Sequence, residues 1–224
     1  MNVAQSDSTP TPTSARVNKP KWRWYHGVLF YVAIQVISFG LSKLTEGLVG
    51  RGKAKLTESL TGNADSFNYS NSLKQPIFAP PDWVFVPVWL VNNAIAIWGL
   101  LYVANQPTNQ PGRGAFLWLQ GAIWSLYTAF ITIFFGLRSP INGALNTILA
   151  LVFTVASTVV AVSRLRDRKA ILSQILLLPW LIFASFAGTV VALWNKDDFY
   201  GTGALVQPDA KWVKPAKDSQ QPEK

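Results

Sequence analysis

The sequence predicts an all-α protein, an integral membrane bundle of five transmembrane helices. Half of its 224 residues are apolar and only 14% are charged, a composition foreign to a soluble domain of this length. The charges gather between long uncharged runs instead of alternating with them. Five windows reach the ~20 apolar residues that a hydrocarbon core of ~30 Å demands.

The windows are 24–42, 83–104, 114–137, 140–163 and 171–194. The first holds His26, Gln35 and Ser38 and lies between Lys21 and Arg23 on one side and Lys43 on the other. A cleaved signal peptide would occupy the same place, but the apolar run is long and no small-residue cleavage site stands out, so a retained helix is expected. The second follows Pro80-Pro81, whose fixed φ suits a helix start, and Pro87 one turn later removes an amide and bends the entrance. Arg138 and Ser139 alone separate the third window from the fourth, where Gly143, Ala144, Ala150, Ala156 and Ser157 offer surfaces for close packing. The fifth ends at the polar run Asn195-Lys196-Asp197-Asp198. Short connections make helices two to five antiparallel neighbours, and five spans set the termini on opposite faces.

Residues 1–21 are rich in Ser, Thr and Pro and are expected to be disordered. The ordered unit is 22–198, and 199–224 form a polar tail interrupted by Pro208, Pro215 and Pro222. The connection 43–82 far exceeds the ~2–8 residues that usually join helices in a bundle. It reads as a lid over the bundle mouth, with Phe78, Pro80, Pro81, Trp83 and Pro87 at the lid and entrance.

Several function classes are disfavoured. Cysteine is absent and His26 is the single histidine, so no disulfide framework, thiolate nucleophile or metal centre is expected. The net charge of +9 resides in short segments beside the spans, which anionic headgroups explain without nucleic acid. Nine Lys/Arg flank the N-terminal face and eleven the other, but the second set is diluted with acids, so the short basic loops point to a cytoplasmic N-terminus. No ionisable Asp, Glu, Lys or Arg lies deep in spans two to five, against a proton-coupled transporter.

Trp83, Trp118 and Trp194 lie near span ends, where indoles anchor at headgroup level; Trp89 and Trp124 lie deeper. Asn92 and Asn93 are ~100° apart on a helix, so at least one looks inward, toward a ligand or an interhelical hydrogen bond. A pocket of Trp89, Phe130, Phe183 and Phe186, fixed by Asn93, Tyr127 and Asn146, would suit a flat apolar ligand with few polar edges.

The run Leu73-x-x-Pro76-x-Phe78-x-Pro80-Pro81-x-Trp83-Val84-Phe85-x-Pro87-Val88-Trp89 resembles the signature of the TspO/MBR family, the tryptophan-rich sensory proteins related to the mitochondrial translocator protein. Ile133-Phe134-Phe135-Gly136-Leu137-Arg138 and Pro179-Trp180-x-x-Phe183-x-x-Phe186-Ala187 resemble the family's third- and fifth-helix patterns. The resemblance implies a five-helix bundle, usually dimeric, that binds porphyrins, haem-type tetrapyrroles or sterols as ligands and not as cofactors. It puts Ala187 among the ligand-binding residues and Trp89 on the ligand-facing tryptophan of the second helix. The family's fifth-helix tryptophan corresponds to Phe183, and that loss of an indole argues against the light-dependent porphyrin degradation proposed for some members. No catalytic residue is assigned. The third-helix tryptophans of the family are replaced by Tyr127-Thr128-Ala129-Phe130, which leaves open a divergent member with a packing or interaction role alone.

Overall fold

The computed structural model describes residues 21–48 and 69–215. The expected disordered N-terminal segment, the middle of the long connection (49–68) and the end of the tail (216–224) lie outside the described residues. Helices α1 (Trp24–Leu48), α2 (Asp82–Ala104), α3 (Arg113–Ile131), α4 (Pro140–Val160), α5 (Arg168–Leu172) and α6 (Leu177–Trp194) carry five stretches long and apolar enough to cross a membrane. π-Helical turns, Thr132–Gly136 and Ala161–Leu165, extend α3 and α4. In each of the five stretches fewer than a third of residues are shielded by the protein, and α4 with its π turn presents Leu145, Val152, Val155, Val159 and Val162 outward. In water that aliphatic belt would drive aggregation, whereas acyl chains solvate it at no cost. The chain is an integral, multi-pass membrane protein.

The fifth span starts at Arg168, earlier than the window at 171, because Asp167 caps it by accepting from Lys169 N–H (2.8 Å) and Ala170 N–H (3.1 Å). The span then breaks between α5 and α6 at residues 173–176. There Gln174 turns inward and its Oε1 accepts from Gln120 (3.1 Å), which also donates to Ser157 Oγ at 2.9 Å. All three are fully buried, so polar groups that lipid would not tolerate find one another.

Packing centres on α4, which lies between α3 and α6. Its inner face is a seam of small residues, Gly143 and Ala144 followed by Ala150, Thr154, Ser157 and Ala161, the last four at three- to four-residue spacing. Gly143 receives the ring of Phe134 where any Cβ would collide with it, and Gly188 of α6 faces Ala144. Helices pull together in lipid through such close approach and not through hydrophobic exclusion.

The two ends differ in charge. Trp22 N–H donates to Asn105 Oδ1 (2.8 Å), Tyr102 O–H to Asp167 Oδ2 (2.8 Å) and Gln110 to Leu165 O (3.5 Å), which gathers the start of α1 with the 105–113 and 164–169 connections. Among the described residues, Lys21, Arg23, Arg113, Arg164, Arg166, Arg168 and Lys169 therefore share one end with a single acid, Asp167. At the opposite end Asp197, nearly fully buried, ties the exit of α6 to the start of α4. Its Oδ2 accepts from Ser139 Oγ (2.7 Å) and Ile141 N–H (3.0 Å), and its Oδ1 from the amides of Phe199 and Tyr200 (both 3.1 Å). The largely exposed residues that follow return to the bundle at two places: Val206 N–H donates to Leu193 O (2.9 Å), and Val213 bridges Pro76 in antiparallel fashion.

Candidate ligand cleft

The two halves of α2 pack differently. Its C-terminal half presents Ala96, Gly99 and Val103, all buried, and Gly99 admits Ser173 beside α5 where no larger residue fits. Its N-terminal half carries Phe85 and Trp89 instead, so large rings and not backbones fill the space toward α6. Trp89, the eighth residue of α2, lies ~10 Å along the helix from the lid end.

Around Trp89 runs a continuous series of ring contacts. Its indole meets Tyr127 of α3 at 5.4 Å and Trp180 of α6 edge-on at 6.2 Å. Trp180 touches Phe85 (5.8 Å) and Phe183 (5.9 Å), and Phe78 of the lid stacks on Phe186 at 5.3 Å and meets Phe183 at 6.3 Å. On the far side Tyr127 meets Trp124 (5.3 Å), which meets Phe30 of α1 at 5.1 Å. Edge-to-face and offset pairs of this kind contribute roughly 0.5–1.5 kcal/mol each beyond burial, so the rings hold four helices and the lid together. Asn93 supplies the polar fixing by donating to Tyr127 Oη (3.0 Å), which in turn donates to Gln35 Oε1 (3.4 Å). Asn92 and Asn93 are both buried, beyond the minimum the helix geometry required.

The structure thus brings Trp89, Asn93, Tyr127, Phe183, Phe186 and the lid's Phe78 into one neighbourhood. Ala187, half-buried, follows Phe186 on the same helix. Two residues expected in the pocket lie elsewhere. Phe130 stacks on Phe134 at 5.4 Å with planes 8° apart, in a second cluster that Tyr69 joins over the π turn. Asn146 donates to Leu126 O (3.2 Å) and lines a recess of about 400 Å³ between α3 and α4 with Leu145, Leu149, Ile133 and Asn142. Phe130, one turn past Tyr127, is met by the ring of Phe134 carried on the π turn, and Asn146 lies on the face of α4 that borders α3. Pro81 precedes α2 at φ −59°, Pro80 leads into it, Trp83 points outward with 73% of its surface exposed, and α2 continues unbroken through Pro87.

Trp180 is the residue that sequence reasoning passed over. Its signal was present, because residues 180 and 183 are three apart and share a helix face, so an indole missing at Phe183 is offered one turn earlier. Its indole N–H is buried with no acceptor among the described residues, and Trp124 N–H is in the same state. Buried donors are rarely left so, and both belong to the ring series.

The comparisons with known proteins agree with this architecture. The TspO/MBR family model matches residues 48–194, well over half of the chain. The tryptophan-rich protein TspO of Chlorobaculum tepidum is 30% identical over 121 residues, covering 53% of this chain and 72% of that protein. The tryptophan-rich protein TspO of Archaeoglobus fulgidus is 33% identical over 129 residues, covering 55% of this chain and 77% of that protein. With five membrane-crossing helices, the proline–tryptophan entrance to α2 and a match that runs from before the lid to the end of α6, the chain belongs to the TspO/MBR family.

Proposed function

We propose that this protein binds tetrapyrroles of the porphyrin or haem type, or similarly flat hydrophobic molecules such as sterols, in the ring-lined cleft between α2 and α6, for transport, sensing or stress response. The observation that carries the reading is the unbroken ring series from Phe78 through Phe183 and Trp180 to Trp89 and Tyr127. A planar macrocycle replaces ring–ring contacts by ring–ligand contacts of the same kind, so insertion exchanges packing instead of opening a void. The unpaired N–H of Trp180 and the Asn93–Tyr127 pair offer polar points to the ligand's edge. Iron ligation by a histidine or thiolate is not part of the proposal, since His26 lies at the first turn of α1 and the chain has no cysteine.

The test is saturable quenching of tryptophan fluorescence by protoporphyrin IX in detergent or bilayer. Trp89→Ala removes one stacking face and is expected to weaken binding about tenfold, at the upper end of a single ring contact. Quenching that does not saturate, or that is indifferent to Trp89, refutes the proposal. The reading includes a homodimer, which intermolecular crosslinking in the bilayer tests.

One observation favours a second reading, light-dependent degradation of the porphyrin. The indole that Phe183 lacks is present at Trp180, 6.2 Å from Trp89. Illuminated protoporphyrin IX converted to a distinct product by the wild type and not by Trp180→Phe would establish it.

A further inference from the structure

The segment that follows α6 lies beyond the residues matched by the family model, which end at 194, yet it is fastened to the lid. Val213 forms an antiparallel bridge with Pro76, flanked by two short backbone hydrogen bonds, Ile77 N–H to Trp212 O and Lys214 N–H to Gln75 O, both 2.8 Å. Lys74 Nζ reaches Gln207 Oε1 at 3.2 Å, and Lys214 Nζ reaches Pro80 O at 3.4 Å. The strap itself is moored to the bundle where Val206 N–H donates to Leu193 O (2.9 Å). Asn195 then holds the other end of the lid by accepting from Lys74 N–H (2.7 Å) and donating to Lys74 O (3.0 Å).

These bonds bear on the cleft through one turn. Ala79 N–H donates to Pro76 O (2.8 Å), so Pro76 to Ala79 form a tight turn with Phe78 near its tip. Pro76 is fully buried beneath the strap, and Phe78 is the lid ring that lies on Phe183 and Phe186. Phe78 cannot leave those rings by a hinge at Pro76 while the bridge to Val213 is made. Because an edge of backbone hydrogen bonds is lost one bond at a time, the strap can peel from Lys214 inward without unfolding α6.

We propose that residues 205–214 are a latch for the lid: they hold Phe78 over the α2–α6 cleft, and their release sets the rate at which a ligand enters and leaves. The latch rests on the proposed ligand cleft for its function, but its geometry can be tested without a ligand. The regulated step is exchange, so the rates of association and dissociation change together while the equilibrium affinity changes less.

Two full-length variants act in opposite directions. Pro76 and Val213 are a directly opposed pair whose neighbours, and not they themselves, exchange the hydrogen bonds, the register in which facing side chains lie closest. In a chain without native cysteine, Pro76→Cys with Val213→Cys gives a single disulfide, and the reduced form of the same variant is its folding control. Lys214→Pro deletes the N–H that Gln75 O accepts, and the backbone of Val213 at φ −91° and ψ 131° already suits a residue before proline. The readout is transfer of bound protoporphyrin IX to excess albumin. Lys214→Pro is expected to speed release about fivefold, the worth of one backbone hydrogen bond. The oxidised disulfide is expected to slow release at least tenfold against its own reduced form.

A release rate that stays at the wild-type value in either variant, with porphyrin still bound, overturns the latch and leaves the ligand cleft standing. If porphyrin does not bind the wild type, the ligand reading fails, and hydrogen exchange at Ile77 and Ala79 decides the latch alone. Faster exchange in Lys214→Pro and slower exchange in the oxidised variant support it; unchanged exchange overturns it.

Discussion

Replacing Asp197 by alanine should loosen the lid end of the bundle more than any other single change outside the bilayer. The carboxylate accepts four hydrogen bonds, and the four donors are not equivalent. The amides of Phe199 and Tyr200 belong to exposed residues and can turn to water, so each loses about 0.5 kcal/mol. Ser139 is fully buried and Ile141 N–H belongs to the first turn of α4, so both donors are stranded at about 1–2 kcal/mol apiece. Ser139 Oγ also caps α4 by accepting from Asn142 N–H (3.2 Å), and it loses the partner that orients it. Together these give about 3–5 kcal/mol. For a chain of this size that lowers the melting temperature by roughly 10 °C, followed through the intrinsic tryptophan fluorescence in detergent. Asp197→Asn keeps one acceptor oxygen and should lose about half as much. A shift below about 2 °C for the alanine variant would show that the four bonds are replaced by water and that the carboxylate does not join α6 to α4.

Gly143→Ala places a methyl group into the ring of Phe134 and should destabilise the α3–α4 contact by about 1–3 kcal/mol, read by thermal unfolding; a neutral result would mean that the ring moves freely. Gly99→Ala should do the same at Ser173, and the effects of the two glycines should add because the sites lie on different helix pairs. For Asp167, burial raises the carboxyl pKa, but hydrogen bonds from Ala170 N–H, Tyr102 O–H and Lys169 N–H and the charge of Lys169 outweigh it and leave it below the ordinary value. A depressed folded pKa stabilises fully above the unfolded value near ~4 and is lost as pH falls through the folded one, so acidification below pH ~4 should loosen the basic end in the wild type. Asp167→Asn should remove that acid dependence, and an identical pH profile would refute the assignment.

The five spans were legible because lipid imposes a constraint that each helix must meet by itself, about twenty apolar residues with backbone bonds satisfied internally. The start of α2 was legible for a similar reason, since proline acts on its own backbone and its immediate neighbours. What the sequence did not disclose depends on phase and on distant partners. Phe130 and Tyr127 are three residues apart, yet the π turn carries Phe134 onto Phe130 while Tyr127 stays on Trp89. Aligning motifs column by column made Phe183 a loss, because the compensating indole sits at 180 and becomes a neighbour only once the chain is wound. The pairing of Val213 with Pro76 joins residues 137 positions apart whose polar, proline-interrupted surroundings carry no periodic signal.

The ring-filled contact between α2 and α6 follows from how little force lipid applies to tighten it. In water the apolar rings exposed between α2 and α6 would be driven inward. In a bilayer the rings of Phe85 and Phe186 are as well solvated by acyl chains as by protein, so only packing and hydrogen bonds decide which helices touch. The small-residue seam commits α4 to α3 and α6, and Gly99 with Ser173 commits the far half of α2 to α5. Neither commitment reaches the near half of α2, where Phe85 and Trp89 meet Trp180 of α6. That region is held by ring contacts of roughly 0.5–1.5 kcal/mol each, individually weak enough to exchange for the contacts of the proposed ligand. The turn bearing Phe78, pinned between Asn195 and the strap, adds its ring to these contacts from outside the bilayer, on Phe183 and Phe186, which is where the proposed latch acts.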